Sequence, residues 1–310
     1  MDSCNCCSSL PTFLDMRTYP DCIYCVIDDI YQATLSLPEE RRKEVLLKVL
    51  KMVSDKYNEK QEPSVLITEA HRILKKTTNI KDPFYNLKKI SLKVGKNIAR
   101  KISKELDRLE KREKLKVLLK ASAISNILDI RSIGVGYRNK AEELEAQFWR
   151  LFKEKLKVDD SKKIASLLME EGKNITYLLD NVGELPIDSM LIKEISNNNT
   201  TVVSRSNPIT SDATLEDVMK FSNIGKFSKV IESGSDTLGI IFEQSNKEVV
   251  ELIKNSDIVI SKGQANFYSI YDNADKIKGT AISLMFTKCS IVSRIFGYKK
   301  KIGVVCIVKE

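Results

Sequence analysis

Apolar positions along this chain change their rhythm once, near Gly172. Before it they recur at three- and four-residue spacing, as in Ile90, Val94, Ile98, Ile102, Leu106 and Leu109, the pattern of one buried helix face. Helices are expected over 36–56, 64–76, 86–120, 121–129, 137–156 and 161–172. Ser36 can supply a capping oxygen to the first of these, and Pro38 falls in its first turn, where a missing N–H costs nothing. Asp82-Pro83 marks a break between two helices. After Gly172, short β-rich runs at 175–180, 200–205, 229–233, 257–262, 280–286 and 302–308 alternate with helical stretches at 183–196, 213–222, 245–255, 264–272 and 289–296. Such alternation implies right-handed crossovers. The expected fold is α/β: a mostly parallel, doubly wound sheet with helices on both faces over residues 173–310, preceded by an all-helical cap over 1–172.

Composition sharpens the picture in three places. At 310 residues and 42% hydrophobic content the chain can bury a sizeable core. The longest apolar candidate for a membrane span, Ala281 to Thr287, is far too short, and the N-terminus lacks the marks of a signal peptide. A cytoplasmic protein without a membrane partner is expected. The net charge of +9 suggests nucleic acid, but residues 87–120 alone carry 13 basic and 4 acidic residues, which accounts for all of it. That stretch reads as a long amphipathic helix with a lysine-rich wet face, and no aromatics for base stacking are interleaved there. A nucleic-acid binder is thus the weaker alternative.

Seven cysteines form no even disulfide framework. Cys4, Cys6, Cys7, Cys22 and Cys25 crowd the start of the chain, whereas Cys289 and Cys306 stand in apolar surroundings as core residues. Cys22 and Cys25 have the two-residue gap of a metal or redox pair, but two small buried residues at the start of a helix would look the same. With His71 as the one histidine, a zinc site would need mostly thiolates.

On open parallel sheets, ligands bind beyond the carboxyl ends of the strands. The runs following the expected strands there are Asp180-Asn181 with Gly183 and Glu184, a loop ending in Ser211-Asp212, Ser233-Gly234-Ser235, Lys262-Gly263-Gln264 with Asn266, and Thr287-Lys288. Two carboxylates and an amide offer oxygen ligands for a hard or borderline divalent cation. Lys262 and helix N-termini offer positive charge to an anion. Each element also has a plain structural use: Asp180-Asn181 can turn the chain, Asp212 can cap a helix, and Gly263 can permit a tight turn. A lysine ending the apolar run 258–261 needs either a carboxylate partner or an anion. Metal plus anion-binding ends is the equipment of phosphoryl transfer.

The three motifs Leu-Leu-Asp180-Asn181-Val-Gly183-Glu184-Leu, Asn-Pro-Ile-Thr-Ser-Asp212-Ala-Thr and Asp257-Ile-Val-Ile-Ser-Lys262-Gly263-Gln264-Ala-Asn266-Phe267 resemble those of the damage-control phosphatases. Weaker echoes occur in Asp82-Pro83-Phe-Tyr and in Ala123-Ile-Ser-Asn126-Ile-Leu-Asp129, and Cys22-Ile-Tyr-Cys25 is similar to the microbial branch. The resemblance implies an α/β fold with a helical cap and metal-dependent hydrolysis of small phosphorylated metabolites. It implies Asp180, Asn181 and Asp212 as ligands of manganese, nickel, cobalt or magnesium. It implies Glu184, Asn266 and Lys262 as lining the phosphate and substrate pocket. Asp180 is then the nucleophile candidate beside Lys262 as a catalytic group, backbone N–H groups near Gly263 would hold phosphate oxygens, and Asn126 is counted among the substrate-binding residues. Two positions depart from the family pattern: Ser211 stands where asparagine is usual, and Tyr268 where glutamate is usual. A methyltransferase is the nearest enzymatic alternative. Its nucleotide-type methyl donor favours a glycine-rich turn after the first strand, whereas Asp-Asn-Val-Gly-Glu is acidic with one glycine.

Overall fold

The computed structural model describes residues 16–129 and 141–310. Cys4, Cys6, Cys7 and positions 137–140 of one expected helix lie outside them. Three helices come first, α1 (Pro20–Ala33), α2 (Glu39–Lys56) and α3 (Pro63–Thr78), packed around Ile30, Val49, Leu66 and Leu74. Pro38, not Ser36, is the residue preceding α2, and no side chain caps that end. The break at Asp82-Pro83 is present: Asn79 closes α3 in a left-handed conformation, and Asp82 Oδ1 accepts from the Phe84 amide at 3.0 Å.

The expected helix 86–120 is two helices, α4 (Tyr85–Leu106) and α5 (Lys111–Ile124), and a 3-10 turn, Ser125–Leu128, follows. No proline or glycine stands at the break, so helical spacing runs straight through it in the sequence. Packing decides instead: turning the chain at 107–110 lets Ile98 and Ile102 join Leu115, Leu118 and Leu119 in one core, which a straight helix could not do. Lys101 and Lys120 lie over the rings of Trp149 and Phe152, but the expected wet face is not uniform: Lys88 is buried and pairs with Asp82 and Asp217. Trp149 and Phe152 belong to α6 (Ala141–Lys153), which precedes β1 (Val158–Asp159) and α7 (Ser161–Leu168). A two-residue strand is too short to leave a periodicity, so β1 was not foreseen.

From there strands and helices alternate: β2 (Asn174–Leu178), α8 (Leu185–Glu194), β3 (Asn199–Ser204), α9 (Leu215–Phe221), β4 (Lys229–Glu232), α10 (Lys247–Asn255), β5 (Ile258–Lys262), α11 (Gly263–Asp272), β6 (Thr280–Phe286), α12 (Ser290–Ile295) and β7 (Gly303–Lys309). They form a sheet in the order β1-β7-β6-β5-β2-β3-β4, parallel throughout except where β7 runs antiparallel to β6. Buried apolar residues alternate between its faces. Tyr177, Val202, Ile260, Ile282 and Leu284 meet the core shared with α4, α5 and α8. Leu178, Val203, Val259 and Ala281 meet Val249, Ile253 and Ile270 of α10 and α11 on the other side. The chain leaves β2 in one direction through β3 and β4, then returns to build β5 and β6 on the opposite flank of β2. The strand order therefore reverses between β2 and β5, and the crevice at their carboxyl ends is where such sheets bind ligands.

Among the described residues no helix is long and apolar enough to cross a membrane.

Candidate functional site

The carboxyl ends of β2 and β5 carry Asp180-Asn181 and Lys262-Gly263, side by side at that switch point. A third segment, the loop between β3 and α9, is drawn in by backbone hydrogen bonds. The Ala213 amide donates to Asp180 O at 2.8 Å and the Val182 amide to Ser211 O at 2.9 Å, so Asn181 and Asp212 face each other across a one-residue antiparallel bridge. Asp212 is thus brought from a separate loop to Asp180 and Asn181, so the three residues expected as one ligand set do converge; each is at most 2% exposed.

Glycines set this approach. Gly263 has φ +76°, and a Cβ there would lie 2.0 Å from Asp180 Oδ2. Only a residue without a side chain lets α11 start against that carboxylate. On the other flank Gly95 of α4 meets Gly183 so closely that a Cβ on Gly95 would stand 2.0 Å from Gly183 O. The helical region thus braces the turn that follows Asp180-Asn181.

Around Asp180 the side chains form a chain of hydrogen bonds. Asn126 and Asn181 each donate to Asp180 Oδ2 at 2.7 Å, and the same two amides donate to Glu184 Oε1 at 2.9 and 2.6 Å. Lys262, fully buried, donates to Glu184 Oε2 at 2.5 Å and to Asp188 Oδ1 at 2.9 Å. Arg205 Nε donates to Asp212 Oδ2 at 2.9 Å, and Thr210 Oγ1 donates to Asp212 Oδ1 at 2.9 Å. Ser211 Oγ lies 2.6 Å from both Asn181 Oδ1 and Asp129 Oδ1, and Lys288 Nζ pairs with Asp129 Oδ2.

Two sequence-based assignments change meaning here. The Lys262 ammonium, expected to face a phosphate, is engaged by Glu184 and Asp188; burial works to lower its pKa, but these two carboxylates outweigh burial and raise it. Asn266, expected to line the substrate pocket, donates to Leu179 O and Lys262 O and accepts from Arg205 and the Ile240 amide. Its amide ties the ends of β2 and β5 to neighbouring loops. Glu184 and Asn126 stand directly around Asp180 and Asn181, Glu184 closing a reciprocal capping box with Asn181.

Asp129, Asp188, Arg205 and Lys288 were not singled out as site residues. Asp129 and Arg205 do stand in recognisable places, at the end of the Asn126 motif and of β3, and Lys288 follows β6. Asp188 recurs four residues after Glu184, on the same face of a helix, and that spacing was the available signal.

Charge bookkeeping tests whether these residues suit a cation. Five carboxyl groups, Asp129, Asp180, Glu184, Asp188 and Asp212, face three basic side chains, Lys262, Arg205 and Lys288. Among the described residues, the acidic side chains of this cluster outnumber the basic ones by two. Burial first, then the charges of Asp212, Glu184 and Asp129, push Asp180 up to about 8 against the pull of Lys288. A divalent ion would cancel that excess, and two carboxylates with an amide oxygen are suitable donors. Among the described residues no three His, Cys, Asp and Glu side chains are grouped to hold a metal; the candidate set here is two carboxylates and an amide. A cavity of about 390 Å³ lies at the opposite edge of the sheet, between Asn174, Thr200, Lys229 and Asn255, far from this chemistry.

Cys22 and Cys25 occupy the start of α1, half-buried, and burial raises both thiols, Cys25 to about 12. Cys22 lines a cavity of about 20 Å³ together with Cys289 and Tyr268. Thiols held so firmly protonated are poor nucleophiles.

Comparison with known proteins gives the same fold. A crystal structure of a DUF89 family protein from Pyrococcus horikoshii superposes with a TM-score of 0.81 at 26% identity, covering 94% of this chain and 99% of that one. A family model described as the damage-control phosphatase ARMT1-like domain matches residues 18–302, and the chain belongs to that family. Its relatives include an uncharacterized protein of Methanocaldococcus jannaschii, 30% identical over 91% of this chain and 92% of the relative. Another is the damage-control phosphatase PH1575 of Pyrococcus horikoshii, 29% identical over 90% of this chain and 94% of the relative. A damage-control phosphatase of Archaeoglobus fulgidus is 28% identical over 91% and 96% respectively.

Proposed function

We propose that this protein is a divalent-metal-dependent phosphatase of small phosphorylated metabolites, with the cation held by Asp180, Asn181 and Asp212. The observation that carries this is the buried cluster at the switch point in which, among the described residues, carboxyl groups outnumber basic side chains around Asp180, Asn181 and Asp212. Family membership supports the phosphatase class, and the names of the relatives support damaged metabolites as substrates. When bound, the ion would supply Lewis acidity to a phosphoryl oxygen and acidify a water.

The chain's own groups would do the rest. Lys288 is the most exposed of the three basic side chains, at 18%, and it would meet a non-bridging phosphate oxygen on exchanging its pairing with Asp129. Arg205 holds Asp212 in place, while Lys262 holds Glu184 and through it the amides of Asn126 and Asn181. Asp180 remains the candidate nucleophile. The methyltransferase alternative loses ground, because the turn after β2 is acidic and packed against α4 rather than open to a nucleotide.

The test is phosphate release from a panel of sugar and nucleotide phosphates, with magnesium, manganese, cobalt or nickel supplied to chelator-stripped protein. Turnover that depends on added metal is expected. Turnover that persists in excess chelator contradicts the proposal.

A further inference from the structure

We infer that Asp188, which contacts neither Asp180, Asn181 nor Asp212, is a positioning residue that fixes the orientation of the metal-binding amide of Asn181 through Lys262 and Glu184. The inference rests on the metal reading above and deepens it. Asp188 lies on α8, four residues beyond Glu184. Its Oδ1 accepts from three different elements: Ser122 Oγ of α5 at 2.8 Å, Tyr177 OH of β2 at 2.8 Å and Lys262 Nζ of β5 at 2.9 Å. Its Oδ2 is buried without a hydrogen-bond partner, an arrangement that costs stability. Two hydroxyls alone would be equally served by a neutral amide oxygen, so the full charge answers to the ammonium.

Lys262 in turn holds Glu184 Oε2 at 2.5 Å. The other oxygen, Oε1, receives Asn181 Nδ2 at 2.6 Å. A carboxylate only accepts hydrogen bonds, so it obliges Asn181 to turn its NH₂ inward. The carbonyl oxygen is then left on the opposite side, where Ser211 Oγ donates to it at 2.6 Å. Loss of the Asp188 charge leaves Lys262 with Glu184 as its sole carboxylate, loosening the three-link chain that sets this orientation. Partners of this kind, one step removed from a metal ligand, change metal affinity by about 10- to 100-fold.

The experiment is Mn²⁺ titration of the metal-stripped full chain, wild type against Asp188→Asn, with melting temperature measured on the metal-free proteins. The expected result is a Kd at least about ten-fold weaker, with a metal-free Tm that is unchanged or higher, since the substitution removes a charge from an over-negative cluster. A merely structural role would give the reverse, a lower Tm with Mn²⁺ affinity intact, and that overturns the inference. Should Asp188→Asn fail to fold, Tyr177→Phe takes one donor from Asp188 Oδ1 and leaves every charge in place; it is expected to weaken Mn²⁺ binding to a smaller degree, and unaltered affinity overturns the inference. Wild-type protein that binds no Mn²⁺ overturns the metal reading itself, and this inference falls with it.

Discussion

Gly263→Ala isolates the placement of Asp180. At φ +76° an alanine meets the left-handed penalty of roughly 1–2 kcal/mol. Its Cβ would also sit 2.0 Å from Asp180 Oδ2, where contacts under 3.0 Å are essentially never found, so the carboxylate has to retreat by about 1 Å. A misplacement of that size in a catalytic group costs about 100-fold in rate. Gly172 supplies the control: it has φ +75° and nothing within 4 Å of the position a Cβ would take. Gly172→Ala therefore carries the backbone strain without the clash. Both variants are expected to melt a few degrees lower, in line with about 1–2 kcal/mol in a chain of this size. Only Gly263→Ala is expected to lose kcat/KM, by roughly 100-fold, in a phosphate-release assay with saturating metal. Equal kcat/KM in the two variants would refute the claim that activity depends on where Asp180 stands.

Lys262→Met leaves Glu184 and Asp188 buried without their ammonium, so a stability loss of about 3–5 kcal/mol is expected together with weakened metal binding; a metal-replete variant with wild-type Tm would contradict this. Asp212→Ala removes a candidate ligand but also strands the buried Arg205, so its Tm should fall, whereas Asp212→Asn keeps an acceptor for Arg205 and should mainly lose metal; differential scanning calorimetry with metal analysis separates the two. Cys22→Ser and Cys25→Ser place hydroxyls where thiols are held protonated by burial, and stability should suffer more than turnover; lost turnover at an unchanged Tm would show otherwise. Burial raises Glu62 to about 7, and its Oε1 has no hydrogen-bond partner. The folded state then holds a proton the unfolded chain has released, so this contribution is complete below about pH 4.5 and is lost as pH rises through about 7. Glu62→Gln should flatten the fall in Tm across that window, and an unchanged slope would count against it.

The α/β half was legible because its central strands are buried on both faces and bounded by turn residues, so all six expected strands exist within a residue or two of their places. The split of α4 from α5 was not, because a turn imposed by packing leaves no breaker behind. At the site, residue type and strand-end position were enough to bring Asp180, Asn181 and Asp212 together. They were not enough for Lys262 and Asn266, whose roles depend on which partner lies within 3 Å. Strand order sets that, and nothing in one sequence shows that β5 lies beside β2. Asp188 illustrates the same limit, being one acid on an ordinary helix until Lys262 arrives from 74 residues away.

The central claim is that the acidic cluster around Asp180 holds one divalent ion, and the stoichiometry of Mn²⁺ bound to metal-stripped protein tests it most directly. One ion per chain is expected in the wild type. Asp180→Asn, which removes a ligand and replaces a carboxyl that burial pushes up to about 8, should bind none while melting no lower than the metal-free wild type. Wild-type protein that binds no Mn²⁺, or Asp180→Asn that binds it as tightly as the wild type, would contradict the account.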